Sequence, residues 1–136
     1  MAKSHPANLK PATALAHPNI AFIKYWGNRD DALRLPLTGS ISMNLSGLET
    51  ITTVVPDRRL KADRLTLGGV SQTGAAFERV SRFLDQVRRL ANSVVFARVT
   101  SANNFPAGAG IASSASAFAA LALAASKAYA LDLPEA

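Results

Sequence analysis

Apolar residues along this chain recur with two different periods, and the places where the period changes mark its elements. Residues 13–25 are rich in Ala, Leu, Ile and Phe but are broken at His17-Pro18. That pattern predicts two short strands or one kinked strand, since proline removes a ladder donor. Ser40, Ile41, Ser42, Met43, Asn44 and Leu45 alternate polar and apolar, the two-residue period of a half-buried strand. A further strand is predicted over residues 50–55, closed by Pro56-Asp57, and a short one at Leu65-Thr66-Leu67 before Gly68-Gly69. Residues 27–38 carry Arg29, Asp30, Asp31, Arg34 and Pro36 and read as a loop.

The period then lengthens. Between residues 74 and 91, Phe77, Val80, Leu84, Val87 and Ala91 recur at three- and four-residue spacing and lay one apolar stripe along a helix. Glu78 with Arg82, and Asp85 with Arg89, are acid-before-base pairs four apart that support its exposed face. Residues 94–99, Val-Val-Phe-Ala-Arg-Val, predict another strand, and a second helix is expected from about residue 113 to 130. With no internal repeat or low-complexity linker, the pattern is that of one α+β lobe. No strand follows the last helix, so the lobe reads as part of a larger fold.

Composition narrows the chemistry. In 136 residues, 49% are hydrophobic, enough for a core. The absence of cysteine excludes disulfides and thiolate metal sites, and with only His5 and His17 a histidine-rich metal cluster is not expected. Lys3 has no apolar run behind it, so the N-terminus does not read as a secretory signal, and a cytoplasmic location is expected. The apolar run at residues 115–125 is shorter than the roughly 20 residues of a membrane span. Fifteen Lys and Arg against nine Asp and Glu give a net charge of +6. This favours an anionic partner: nucleic acid, a membrane surface or a phosphorylated small molecule. The plainer alternative is a solvated face, since Arg79, Arg82, Arg88 and Arg89 all fall on the first predicted helix.

The densest chemical signal is Asn103-Asn104-Phe105-Pro106-Ala107-Gly108-Ala109-Gly110-Ile111-Ala112-Ser113-Ser114. A flexible linker would be polar and would not lead into Phe118, Leu121 and Leu123. A close-packed helix of small residues, or a loop whose bare amides hold an anion, both fit. Two glycines one residue apart, followed by serines where a helix begins, favour the anion loop, because the amides and positive dipole end of the new helix attract negative charge. It is not a Walker A loop, which needs GxxxxGK[ST].

Residues 16–30, Ala-His-Pro-Asn-Ile-Ala-Phe-Ile-Lys-Tyr-Trp-Gly-Asn-Arg-Asp, closely resemble the N-terminal signature of the diphosphomevalonate decarboxylase family, within the GHMP small-molecule kinase superfamily. Residues 35–42 are similar to the segment that follows in that family, and residues 101–120 to its phosphate-binding motif. The fold implied is the ribosomal protein S5 domain 2-like N-terminal lobe, a mixed sheet packed against helices. The activity implied is ATP-dependent decarboxylation of mevalonate 5-diphosphate or 5-phosphate, in which the 3-hydroxyl is phosphorylated before phosphate and CO₂ leave to give an isopentenyl product. ATP and Mg²⁺ are the implied cofactors. The partner implied is a phosphorylated small molecule, not nucleic acid or membrane, with the full-length protein a homodimer.

Carried over residue by residue, the resemblance makes Lys24 the catalytic cation near the transferring phosphoryl group. Asn19, Tyr25, Trp26, Gly27, Asn28 and Arg79 become substrate-binding residues, with Arg79 on the phosphate tail. Pro106, Ala107, Gly108, Ala109, Gly110, Ile111, Ala112, Ser113 and Ser114 become the ATP-phosphate loop, with Ser114 a candidate Mg²⁺ ligand. Lys24 lies within an apolar run, which argues against a plain surface lysine; core packing is the bland alternative for Tyr25 and Trp26.

Two positions depart from the family pattern. Asn28 stands where the family usually has lysine, removing a cation that would help neutralise a diphosphate, so a monophosphate substrate is one expectation. Thr38-Gly39-Ser40 replaces the usual Asn-Ser-Ser. The family's aspartate that acts on the 3-hydroxyl, its carboxylate-binding arginine and its second serine loop have no match here, so residues 1–136 are expected to be an N-terminal lobe that is inactive alone. A kinase that stops after phosphorylation, and an RNA-binding lobe using the basic surface, are the rival readings.

Overall fold

The computed structural model describes residues 8–24, 26–106 and 113–134. The break at His17-Pro18 separates two strands that join different sheets: β1 (Ala12–Ala16) and β2 (Asn19–Ile23). The segment read as a loop contains a small hairpin, β3 (Asn28–Asp30) and β4 (Leu35–Pro36). β5 (Ile41–Asn44) and β6 (Thr50–Pro56) follow as expected, then β7 (Arg64–Leu67) and a two-residue β8 (Val70–Ser71) that the pattern did not announce. α1 (Ala75–Leu90), β9 (Ala97–Asn103) and α2 (Ser113–Ala128) complete the chain. Ala97 to Val99 of the strand expected at residues 94–99 are in β9, which runs on through Asn103.

The main sheet has the order β1-β6-β9-β7-β8, antiparallel except for the parallel pair β7 and β9. α1 supplies the crossover that a parallel pair requires. The sheet is mixed and carries two helices, the α+β architecture read from the sequence. Alternate residues along the strands turn to the helices: Ala14, Val54, Leu65, Ala97 and Val99 join Leu84 and Val87 of α1 and Leu121, Ala124, Ala125 and Ala128 of α2 in one core. The predicted stripe on α1 is realised, with Phe77, Val80 and Ala91 packed at its margin.

The charged residues of α1 behave differently from the prediction. The Arg82 Nε reaches the Glu78 main-chain carbonyl, at 3.4 Å, instead of its carboxylate. Asp85 pairs with Arg88 at 2.7 Å, not with Arg89. Arg88, read as part of a solvated face, is buried, with its side chain 6% exposed against an Asp63 side chain at 3%. Its two terminal nitrogens donate to the two Asp63 oxygens at 2.9 Å, and Asp63 also accepts from Ser81 Oγ and the Ala97 amide. The guanidinium stacks 4.9 Å from the Phe96 ring centre. Burial pulls the Arg88 pKa down, but the bonds to Asp63 and Asp85 outweigh it and leave it above the ordinary arginine value. One ion cluster therefore ties the start of β7 and β9 to α1.

Outside this core, β2 and β5 form a separate two-stranded sheet. β5 was expected to be half-buried, but all four of its residues are exposed, because no layer among the described residues covers it. Phe22, Ile23, Ile41 and Met43 make this an apolar outer surface.

Candidate functional site

The approach to α2 is built from side-chain clamps. In the β6–β9 register Thr50 faces Asn103 and Thr52 faces Ser101, so the buried face of this strand pair is hydroxylic at the end nearest α2 and apolar further along, at Val54 and Val99. Thr52 and Ser101 hydroxyls lie 2.8 Å apart. Thr50 donates to Asn103 Oδ1 at 2.8 Å; having spent its proton, it accepts one from Ser116 Oγ, also at 2.8 Å. Asn104 secures the neighbouring turn: Oδ1 accepts from the Glu49 amide, Nδ2 donates to the Gly47 carbonyl, and its own amide donates to the Glu49 carbonyl. Sequence reasoning missed this set. The available signal was the alternation of Thr50, Thr52 and Val54, with Ser101 and Asn103 in the partner strand.

Ser114 and Ser116, two residues apart in α2, point different ways: Ser116 into the core, Ser114 to an open cavity. That cavity, about 480 Å³, is bounded by Ser114, Phe105, Asn103, Leu65, Arg79 and Phe118. Its size is that of a small-molecule site. Arg79 is exposed and stands also at a second cavity of about 630 Å³. Thus two expected ligand-binding residues, Arg79 and Ser114, meet at one hollow. Pro106 is exposed beside it; Ser113 opens α2. Ala107, Gly108, Ala109, Gly110, Ile111 and Ala112 lie outside the described residues, as does Tyr25, so the expected hollow of converging amides is not described.

The other expected site residues sit on the smaller sheets. Lys24 directly follows β2, which packs against α2, and its side chain is exposed beside the exposed Ile23. An apolar run around a lysine therefore does not bury it here. Trp26 is 83% exposed, which removes core packing as its explanation. Its amide donates to Thr38 Oγ1 at 3.2 Å, and the Gly27 carbonyl accepts from the Leu37 amide at 3.1 Å. Gly27 has φ 75°, a left-handed backbone that other residues rarely adopt. Asn19 donates to Ser42 Oγ at 3.4 Å across β2–β5. Asn28 is half-buried: Nδ2 donates to Asp31 Oδ1 at 2.9 Å, while Oδ1 is buried with no hydrogen-bond partner among the described residues. Lys24 and Trp26 line neither cavity.

Among the described residues there is no group of three or more His, Asp or Glu able to hold a metal ion. A divalent ion would have to take most of its ligands from a phosphorylated ligand and water, the usual habit of Mg²⁺, with Ser114 the hydroxyl at hand.

The family model described as the diphosphomevalonate decarboxylase-like N-terminal domain matches residues 16–136. The diphosphomevalonate decarboxylase of Debaryomyces hansenii is 39% identical over 91% of this chain and 35% of its own length. The phosphomevalonate decarboxylase of Haloferax volcanii is 40% identical over 90% of this chain and 38% of its own length. The solved mevalonate diphosphate decarboxylase of Enterococcus faecalis, described in terms of mevalonate diphosphate mediated ATP binding, superposes with a TM-score of 0.86 at 41% identity, covering 93% of this chain and 40% of that one. The chain thus spans little more than a third of the length of the curated relatives it matches.

Proposed function

The chain belongs to the diphosphomevalonate decarboxylase-like family, and from that premise we propose that residues 1–136 form the N-terminal, ATP- and substrate-binding lobe of an ATP-dependent decarboxylase. Its substrate is mevalonate 5-diphosphate or mevalonate 5-phosphate. The 3-hydroxyl takes the γ-phosphoryl group of ATP; the C–O bond then breaks with loss of phosphate as the carboxylate departs as CO₂, its bonding electrons closing the new double bond. A tertiary alcohol leaves poorly until phosphorylated, and phosphoryl transfer asks a protein mainly for positioning and charge.

The observation that carries this reading is the meeting of Ser114 and Arg79 at one cavity of small-molecule size, at the start of the helix that follows the glycine loop. In this reading Ser114 and the amides of residues 107–112 hold ATP phosphates, with Mg²⁺ shared between them and water. Lys24 steadies negative charge on the transferring group, and Arg79 meets the phosphate tail. The catalytic aspartate belongs to the further length that the relatives possess, and the exposed apolar surface around Phe22, Ile23 and Trp26 is consistent with a larger assembly. Among the described residues no helix is long and apolar enough to cross a membrane; from the family likeness alone we further infer a cytoplasmic, homodimeric complete protein.

The monophosphate alternative has its own support. Asn28 brings no charge and its amide is already committed to Asp31, and one relative at 40% identity is a phosphomevalonate decarboxylase. The test is CO₂ release from carboxyl-labelled 5-phosphate and 5-diphosphate by the complete polypeptide with ATP. Release identifies the decarboxylase, and the ratio of kcat/KM for the two compounds identifies the tail. Phosphorylation without CO₂ would instead make the protein a kinase. The 1–136 chain alone should release none.

A further inference from the structure

The turn after β6 carries Asp57, Arg58 and Arg59 to one end of the main sheet, where Arg98 of β9 joins them around a cavity of about 430 Å³. Leu9, Val55, Pro56 and Val95 supply its apolar lining. Val95 is buried and the other three are half-buried, whereas Arg58, Arg59 and Arg98 are exposed. The hollow therefore has an apolar floor and a cationic mouth. None of its lining residues borders the cavities at Arg79 and Ser114. Along β9, Arg98 is five positions from Asn103, about 16 Å at the rise of a strand.

Local bonds hold the mouth in place. The Asp57 amide donates to the Phe96 carbonyl at 2.9 Å and the Leu60 amide to the Asp57 carbonyl at 3.1 Å, which ties the turn to the body and closes it. Arg59 gives the Asp57 carboxylate its Nε and Nη2, and Arg98 gives it Nη2, each at 3.0 Å. A guanidinium has five N–H donors, so both arginines keep donors to spare. Among the described residues Arg58 has no carboxylate within ion-pairing distance. Three cations thus share one carboxylate, and that carboxylate is sunk: the Asp57 side chain is 9% exposed beneath an Arg59 side chain that is 84% exposed. An entering anion meets the guanidinium groups first. Arg64 of β7, exposed and in register with Arg98, adds to the positive field. A plain surface ion pair accounts for Arg59 and Arg98, but for neither the unmatched Arg58 nor the apolar floor.

We propose that this cavity binds a small amphiphilic anion, a short apolar chain or ring ending in a phosphate monoester, with Arg58, Arg59 and Arg98 on the head and Val55, Pro56 and Val95 against the body. Two positive charges left unmatched suit a head that carries close to two negative charges, as a phosphate monoester does near neutral pH and a single carboxylate does not. The site is separate from the proposed reaction and stands or falls without it.

Calorimetric titration of the complete polypeptide with octyl phosphate, kept below its micelle concentration, and with butyl phosphate and inorganic phosphate tests this. Saturable binding of octyl phosphate is expected, at least about tenfold tighter than that of butyl phosphate, because the added methylenes leave water. The Arg58→Gln/Arg98→Gln double variant should weaken it at least about tenfold. Arg59 still pairs with Asp57 in that variant, and circular dichroism verifies its fold. Arg79→Gln and Arg89→Gln, at other hollows, should bind octyl phosphate as the unmodified protein does. A loss in Arg79→Gln as large as in the double variant moves the ligand to the candidate functional site and overturns the proposal. Undiminished binding in the double variant, or no gain from butyl to octyl, overturns it as well. Sedimentation with vesicles of phosphatidylcholine and phosphatidic acid, without binding of free octyl phosphate, would make the arginines a membrane-facing patch and refute the cavity.

Discussion

Thr50 of β6 and Ser116 of α2 share a buried hydrogen bond of 2.8 Å, and through Thr50 the helix is joined to Asn103, at the end of the strand that leads into the glycine-rich segment. Replacing Thr50 by valine keeps the shape and removes both the donor to Asn103 and the acceptor used by Ser116. A loss of about 1–3 kcal/mol is expected, read as a lower urea midpoint at unchanged slope.

The Arg88–Asp63 pair supports a second prediction. Arg88→Met leaves the Asp63 carboxylate buried with only Ser81 and the Ala97 amide as donors, which should cost about 3–5 kcal/mol. A variant in which both residues become apolar should recover part of that loss, because an unpaired buried charge is worse than none. Denaturant unfolding of the two variants side by side measures the difference.

At Gly27 the backbone alone is at stake. A methyl group there would meet Leu37 Cδ2 at an ordinary 3.9 Å, so Gly27→Ala should not crowd its surroundings. Its φ of 75° predicts a cost of about 1–2 kcal/mol through conformation. Asn at the same position, which tolerates this backbone better, should lose less.

Asp57 gives a prediction in pH. The Arg59 side chain and amide hydrogen-bond its carboxylate, and with the Arg98 charge they hold its pKa at about 2, below the ordinary 3.8. A carboxyl with a depressed folded pKa binds fewer protons than in the unfolded chain, so its stabilisation is complete above the ordinary value and disappears as pH falls through about 2. The carboxyl carbon resonance of Asp57 should titrate near that lower value; a midpoint near 3.8 would show that the clamp is absent in solution.

In the complete enzyme, Lys24→Met should reduce kcat on the order of a hundredfold or more while leaving KM within about threefold, the signature of a charge felt mainly in the transition state. An unchanged kcat would remove Lys24 from the chemistry.

Periodic features were legible from the sequence, and features that depend on a distant partner were not. The α1 stripe from Phe77 to Ala91 follows from spacing within one helix. The burial of Arg88 depends on Asp63, 25 positions away, and nothing in the helix itself reports it. Likewise Thr50 and Ser116 become a pair only once β6, β9 and α2 are assembled. Phe22 and Trp26 look like core residues by composition, but Phe22, on β2, and Trp26, just past its end, are both exposed among the described residues. Of the candidate site, Arg79 and Ser114 were named from the sequence, and the structure shows that they border the same space. Arg58 and Arg98 lie 40 positions apart, and only the fold sets them around one cavity.

β9 occupies the middle of the five-stranded sheet yet follows all four of its companion strands in the chain. While the polypeptide emerges from the ribosome, β6 and β7 are exposed with no direct pairing between them, each waiting for the same late-arriving neighbour. Nascent chains that stall before residue 97 therefore present two open strand edges at once, and it is at this stage of synthesis, rather than after completion, that chaperone capture or aggregation should be most frequent.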